Sequence, residues 1–76
     1  MNNLRSIRQS HGFTQWALAT KAHMSTTTIM AVEKYDYVPS PETRARIAQA
    51  LEVTVEEIWP DLEAQEAARE EARWEQ

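Results

Sequence analysis

The chain has 76 residues, a net charge of −4 and no cysteine. This length is enough for one domain with a single small core, and the lack of cysteine excludes disulfides and thiolate metal sites. No apolar run is long enough for a membrane span or a signal-peptide core. These features favour a cytoplasmic protein with one folded domain.

The acidity belongs to the C-terminal end of the chain. Residues 1–59 carry six basic and six acidic side chains, whereas residues 60–76 carry two basic and six acidic ones. A neutral body that binds phosphates must gather its cations on one face. We therefore expect a domain over residues 1–60 and an acidic helical tail over residues 61–76. In that tail, Leu62 and Trp74 are the candidates for burial against a partner subunit.

The chain contains one glycine and three prolines, and no segment alternates as a strand does, so we predict an all-α fold. The first helix begins after Asn2 or Asn3 and ends near Ser10. Gly12 then stops it, since glycine readily takes a positive φ. The inward positions of this helix follow the spacing i, i+3, i+4, i+7 and are Leu4, Ile7, Arg8 and His11.

Two short helices joined by a tight turn follow. Thr14 caps the second helix, which ends near Ala22, and Ser25 caps the third, which runs to Lys34. His23 lies in the turn, where a left-handed conformation is expected. The inward residues are Leu18, Ala19, Ala22, Ile29, Val32 and Glu33, and those of the third helix that point outward are Thr26, Thr27, Met30, Ala31 and Lys34. Thr28 points toward the core. This layout is typical of a helix-turn-helix, whose second helix enters the DNA major groove.

The last two predicted helices have clear start signals. Ser40 caps the fourth helix, which has proline in its first turn and runs to about Leu51. Thr54 and Glu57 form a capping box for a short fifth helix, with Val53 and Ile58 as its hydrophobic staple. The remaining predicted features are a positive φ at Asp36, burial of Ile47, Ala48 and Leu51, and closure of the core by Trp59.

Several short motifs occur in a consistent order over residues 3–59. They are L-R-x-I-R at Leu4–Arg8, G-F-T-Q at Gly12–Gln15, L-A at Leu18-Ala19, M-S-x-x-T-I at Met24–Ile29, V-E-K at Val32–Lys34, P-S at Pro39-Ser40 and I-A-x-A-L-x-V-T-x-E-E-I at Ile47–Ile58. Together these motifs resemble the Cro and lambda-repressor type of helix-turn-helix, the XRE family.

The resemblance implies a five-helix lambda-repressor-like domain that binds double-stranded operator DNA, usually as a homodimer, and that regulates transcription, most often as a repressor. It implies that Gln15 meets the phosphate backbone, and that Arg8 and Glu33 form a buried ion pair. It also implies that the third helix faces base edges through Thr26, Thr27, Met30 and Ala31. The other candidate DNA contacts are Ser25 at the cap, Lys34, Trp16 and Tyr37.

The predicted recognition helix departs from common DNA-binding helices because its outer face has no arginine, asparagine or glutamine. Such side chains make the bidentate contacts that distinguish bases. This helix is left with thymine methyl groups or groove shape as the features it can recognise. Beyond it, Tyr35 is expected to cover the edge of the core and Tyr37 to contact phosphate.

Other functions have less support in the sequence. No nucleophile–base pair or glycine-rich phosphate loop indicates an enzyme, and His11 and His23 are too few for a metal site. We expect no cofactor, and no small-molecule ligand is evident. The alternative function is a protein-interaction module, such as an anti-repressor or antitoxin-like partner, which the neutral body and acidic tail favour. Two roles remain open for Trp16, namely a contact with the DNA backbone and an anchor against the first helix or another subunit. For the tail, a solvated helix face, a dimerisation helix and an acidic arm remain open.

Overall fold

The computed structural model describes residues 2–62, which form five helices and no strand. The helices are α1 (Leu4–Ser10), α2 (Gln15–Lys21), α3 (Thr26–Tyr35), α4 (Pro41–Leu51) and α5 (Val55–Ile58). The all-α prediction is therefore confirmed, and each helix lies within a residue or two of its predicted bounds. None of the helices in this part of the chain is long and apolar enough to cross a membrane.

Hydroxyl side chains begin four of the five helices. In each case the side chain accepts a hydrogen bond from the backbone N–H three residues further on, which satisfies a donor that the helix leaves unpaired. The caps are Thr14, Ser25, Ser40 and Thr54. At Thr54 the capping box is complete, because the Glu57 carboxylate accepts from the Thr54 N–H at 2.6 Å. At the start of α1 the acceptor is an amide instead of a hydroxyl, because the Asn2 Oδ1 accepts a hydrogen bond from the Leu4 N–H at 3.0 Å.

Left-handed residues separate the helices. Gly12 (φ 76°), His23 (φ 58°) and Asp36 (φ 54°) adopt the positive φ that the sequence predicts. Glu52, with φ 58°, is a fourth such residue that the sequence analysis did not identify. It ends α4, where its N–H donates to the Gln49 carbonyl at 3.1 Å.

The core forms where all five helices meet. Its fully buried large side chains are Leu4, Leu18, Ile29, Val32, Ile47, Leu51 and Ile58. α2 packs against both α3 and α4, α1 contacts α3, and α5 packs against α4. Trp59 is buried at the end of α5, as predicted. Leu62 also packs against this core, so the first apolar residue of the predicted tail belongs to the domain itself.

Two predicted inward residues are exposed. His11 lies beyond the last turn of α1, where the helical phase no longer applies, and its Nδ1 lies 2.8 Å from the Ile7 carbonyl oxygen. Tyr35 does not cover the core edge, because 68% of its surface is exposed. It is the last residue of α3 and projects away just before the chain reverses at Asp36; the Lys34 Nζ lies 5.5 Å from its ring centroid.

One buried charged residue was missed entirely. Arg44 is buried in α4, and its Nη1 donates to the Pro39 carbonyl at 3.1 Å. The available signal was its position three, four and seven residues before the buried Ile47, Ala48 and Leu51, a spacing that places it on the inner face of α4. The predictions for the acidic tail, including the one for Trp74, concern residues 63–76, which lie outside the described residues.

Glycine at position 52 should stabilise the domain. A non-glycine residue in the left-handed region costs about 1–2 kcal/mol, which glycine avoids. Part of this gain is lost again, because the glycine backbone loses more entropy on folding. We expect Glu52→Gly to raise the free energy of unfolding by about 0.5–1 kcal/mol in urea melts. Glu52→Ala keeps the strained φ and is the control. A Gly variant no more stable than the Ala variant would show that this conformation carries no strain.

Candidate nucleic-acid interface

The turn between α2 and α3 sets the relative placement of the two helices. The His23 N–H donates to the Thr20 carbonyl at 3.2 Å, and the Met24 N–H donates to the Ala19 carbonyl at 2.9 Å. Ala19 is itself buried, and its small side chain lets α3 come close to α2. With a left-handed residue at His23, the chain turns within a few residues, and this gives the geometry of a helix-turn-helix.

The outer face of α3, meaning Thr26, Thr27, Met30, Ala31 and Lys34, lies opposite the buried Ile29 and Val32. Four of these residues follow the spacing i, i+3, i+4, i+7, so they share one side of the helix. The two threonines and Lys34 are exposed, 38% of the Met30 surface is exposed, and Ala31 is half-buried. This face is therefore accessible, small and largely uncharged.

The Ser25 side chain forms hydrogen bonds with Thr28 in the first turn of α3. Its Oγ accepts from the Thr28 N–H at 3.3 Å and lies 3.1 Å from the Thr28 Oγ1. Thr28 is half-buried, which agrees with its expected orientation toward the core. The Ser25 hydroxyl is thus committed to the start of α3.

Arg8 of α1 and Glu33 of α3 form an ion pair between the two helices. The Arg8 Nε donates to the Glu33 Oε2 at 2.7 Å and its Nη2 donates to Oε1 at 3.1 Å, so the pair is bidentate. The side chains are 10% and 3% exposed. Arg8 Nη1 also donates to the Phe13 carbonyl at 2.7 Å. Every nitrogen of this guanidinium is therefore used, and the loop from α1 to α2 is held to it.

Gln15 joins the same carboxylate. Its Nε2 donates to the Glu33 Oε1 at 3.3 Å, so side chains from α1, α2 and α3 meet at one acidic group. From the sequence, Gln15 was expected to contact the DNA backbone, and the ion pair was expected to be a separate structural element. The structure links them, because Glu33 fixes the orientation of the Gln15 side chain.

A cleft of about 500 Å³ opens beside this cluster. It is lined by Arg5, Arg8, Gln15, Met30, Glu33 and Lys34. The cleft therefore brings two exposed cations, Arg5 and Lys34, next to the outer face of α3. Arg5 was not among the predicted site residues. Its position three residues before Arg8 on α1 was the available signal, since that spacing places both on the same side of a helix.

The remaining candidates lie apart from this cleft. Trp16 is 69% exposed on α2, and Tyr37 is exposed after α3, where its N–H donates to the Ala31 carbonyl at 3.2 Å. Lys21 extends over the Phe13 ring, 5.2 Å from its centroid, and lines a separate cleft with His23 and Arg46. Between residues 2 and 62 there is no cluster of three or more side chains able to hold a metal ion.

Comparison with known proteins gives consistent matches. The sequence model of the family described as Helix-turn-helix matches residues 4–58. An uncharacterized HTH-type transcriptional regulator of Methanocaldococcus jannaschii is 40% identical over 58 residues, covering 76% of this chain and 88% of the relative. The uncharacterized HTH-type transcriptional regulator YgzD of Bacillus subtilis is 29% identical over 58 residues, with the same shares covered.

Breaking the Arg8–Glu33 pair should strongly destabilise the domain. Glu33→Ala leaves the Arg8 guanidinium buried without its carboxylate, and we expect a loss of about 3–5 kcal/mol in urea melts. Replacing both residues by apolar side chains of similar size should cost much less, because no charge is then left unpaired.

The exposed pair of Glu42 and Arg46, 3.5 Å apart, provides a matched control for this measurement. Arg46→Ala should cost about 0.5 kcal/mol or less. A loss in Glu33→Ala as small as this control would mean that the buried pair contributes no more than a surface pair.

Proposed function

The chain belongs to the XRE-type helix-turn-helix family, and on that premise we propose that it is a sequence-specific DNA-binding regulator of transcription, acting as a repressor by occupying an operator. The observation that carries this proposal is the accessible outer face of α3, which presents no acidic group. The one acid in α3 is Glu33, and its side chain is 3% exposed and paired with Arg8. An accessible helix face that carries Lys34 and no acid, with Arg5 in the adjoining cleft, is suited to the negatively charged major groove.

In the proposed complex, the outer face of α3 lies in the major groove and Gln15 holds the phosphate backbone. The Gln15 amide nitrogen carries two N–H groups. One of them is donated to Glu33, and the second is left for a phosphate oxygen. Arg5 and Lys34 line the adjoining cleft and supply its charged contacts. Trp16 and Tyr37, both exposed, have N–H and O–H groups that can donate to further phosphates.

We further propose that the protein binds as a homodimer. One recognition helix covers only a few base pairs, and dimers of this motif use two half-sites about one turn of DNA apart. Occupying such a site can exclude other proteins from a promoter without any cofactor. This activity requires contact with chromosomal DNA, which agrees with the cytoplasmic location expected from the sequence.

The outer face of α3 is tested by alanine substitution. We expect Thr26→Ala and Thr27→Ala to weaken operator binding by about 1–2 kcal/mol each while leaving the urea midpoint nearly unchanged. Binding is measured by gel shift on a site selected from random DNA or from the region upstream of the protein's own gene. Gln49→Ala, on the exposed side of α4, is the control and should bind as wild type does. If both threonine variants also bind as wild type does, α3 is not the recognition helix. Failure of the wild-type protein to bind any DNA would favour the protein-interaction alternative.

The salt dependence of binding tests the phosphate contacts. With Arg5 and Lys34 as the charged contacts of each protomer, log K against log salt should have a shallow slope of about −2 to −5 for a dimer. Lys34→Gln should make this slope shallower by about 1 for each protomer. Lys21→Gln, whose lysine lies over Phe13, should leave the slope unchanged. A slope near −10 would contradict this assignment, since it requires many more neutralised phosphates.

A further inference from the structure

We propose that α3 identifies its operator chiefly through the 5-methyl groups of thymine, instead of through hydrogen bonds to purine edges. This inference rests on the proposed function and specifies the class of site that the interface would take. It follows from two observations. The first is the chemistry of the exposed face, and the second is that side chains able to hydrogen-bond to bases already form hydrogen bonds within the protein.

Two of the three side chains beside α3 that could make bidentate base contacts are already engaged, and the third, Arg5, lies on α1 and is assigned to phosphate in the proposed complex. Gln15 donates to Glu33, and Arg8 donates to both Glu33 and the Phe13 carbonyl. The outer face of α3 contains no amide or guanidinium group. The pairings that select guanine or adenine in the major groove therefore have no donor set on this helix.

Lys34 is poorly placed to replace them. Base contacts come from the N-terminal part of a recognition helix, whereas Lys34 stands in the last turn of α3 with its Nζ 5.5 Å from the Tyr35 ring centroid. At a rise of about 1.5 Å per residue, Lys34 is about 10 Å along the axis from Thr27. Its position suits the flanking phosphate backbone, not the bases beneath the first turns.

The exposed groups on the first two turns of α3 are methyl groups and hydroxyls. Thr26, Thr27 and Ala31 each offer a methyl, and Met30 offers a flexible thioether that adapts to irregular apolar surfaces. In the major groove, the C5-methyl of thymine is the one apolar feature of the base edges, and threonine and alanine pack against it. A threonine hydroxyl can donate or accept, so it tolerates either exocyclic group of a pyrimidine. The thymine methyl group is then the feature by which this helix distinguishes thymine from cytosine.

The spacing of these side chains sets the size of the feature that one protomer recognises. From Thr27 to Ala31 the helix rises about 6 Å, close to the distance spanned by two base steps of about 3.4 Å. Each half-site should therefore contain about two thymines within three successive base pairs whose methyl groups contact α3. The same contacts should accept 5-methylcytosine, which carries its methyl group at the equivalent position.

The experiment begins with a site that the full-length protein selects from random DNA. Each thymine of that site is then replaced, one at a time, by deoxyuridine, which removes only the methyl group. At contacted positions we expect the affinity to fall about fourfold, the loss expected for one buried methyl group. Cytosine at the same positions, paired with guanine, should bind at least as weakly, and 5-methylcytosine should recover part of the affinity that cytosine loses.

Two variants of Thr27 show whether the protein side of the contact is the methyl group. Thr27→Ser keeps the hydroxyl and removes the methyl, and it should no longer distinguish thymine from deoxyuridine at one position of each half-site. Thr27→Val keeps the methyl and removes the hydroxyl, and it should retain that distinction. Gln49→Ala serves again as the control and should retain the wild-type pattern at every position.

The outcomes separate this inference from the function on which it rests. Selection that yields no preferred sequence would overturn the proposed function. A selected site that binds equally well with deoxyuridine throughout would leave that function in place and overturn the inference. A deoxyuridine effect that persists unchanged in Thr27→Ser, Thr26→Ser and Met30→Ala would mean that the DNA shape is recognised, and would overturn it as well.

Discussion

The Glu33 carboxylate is the group on which the arrangement of the first three helices depends. A buried charge is tolerated only when it is fully partnered, and Glu33 meets this requirement by accepting from Arg8 of α1 and Gln15 of α2. Because these donors come from different helices, the carboxylate ties α1 to α3 and adds a contact to α2, whose placement relative to α3 the turn between them already sets. Arg8 extends the same constraint to the Phe13 carbonyl in the intervening loop. One acidic side chain thus orders the elements that surround the proposed interface.

This arrangement also solves an electrostatic problem for a DNA-binding surface. The recognition helix needs an anchor in the core, yet an exposed acid on it would repel phosphate. The anchoring carboxylate is turned inward and neutralised, while Arg5 and Lys34 line the neighbouring cleft. In a chain whose net charge is −4, such local placement matters more than the total. The local charge of the proposed DNA-binding surface therefore differs from the net charge of the whole protein.

The sequence predicted features that depend on a few neighbouring residues. The helix caps and the left-handed residues His23 and Asp36 follow from local backbone chemistry, and the structure has all of them. Features that depend on where a helix ends or on distant partners were missed. His11 and Tyr35 lie at helix ends where periodicity no longer holds. Arg44 has the spacing of a core position, but a charged side chain argues against burial until its acceptor, the Pro39 carbonyl, is known. The link between Gln15 and Glu33 spans two helices, and helical spacing alone does not reveal it.

The proposed mode of recognition limits how much discrimination the methyl contacts can supply. A methyl contact contributes about 0.8 kcal/mol, so two contacts in each half-site of a dimer supply about 3 kcal/mol of discrimination. Specific binding typically exceeds non-specific binding by about 4–10 kcal/mol, so methyl groups alone fall short of that range. A surface with few cations does not change this difference, because phosphate contacts contribute to specific and non-specific binding alike. The remaining discrimination must then come from features other than the methyl contacts, such as the sequence-dependent shape of the DNA. In the proposed complex, the buried Glu33 carboxylate orients Gln15 for its phosphate contact, while the largely uncharged outer face of α3 contacts the bases.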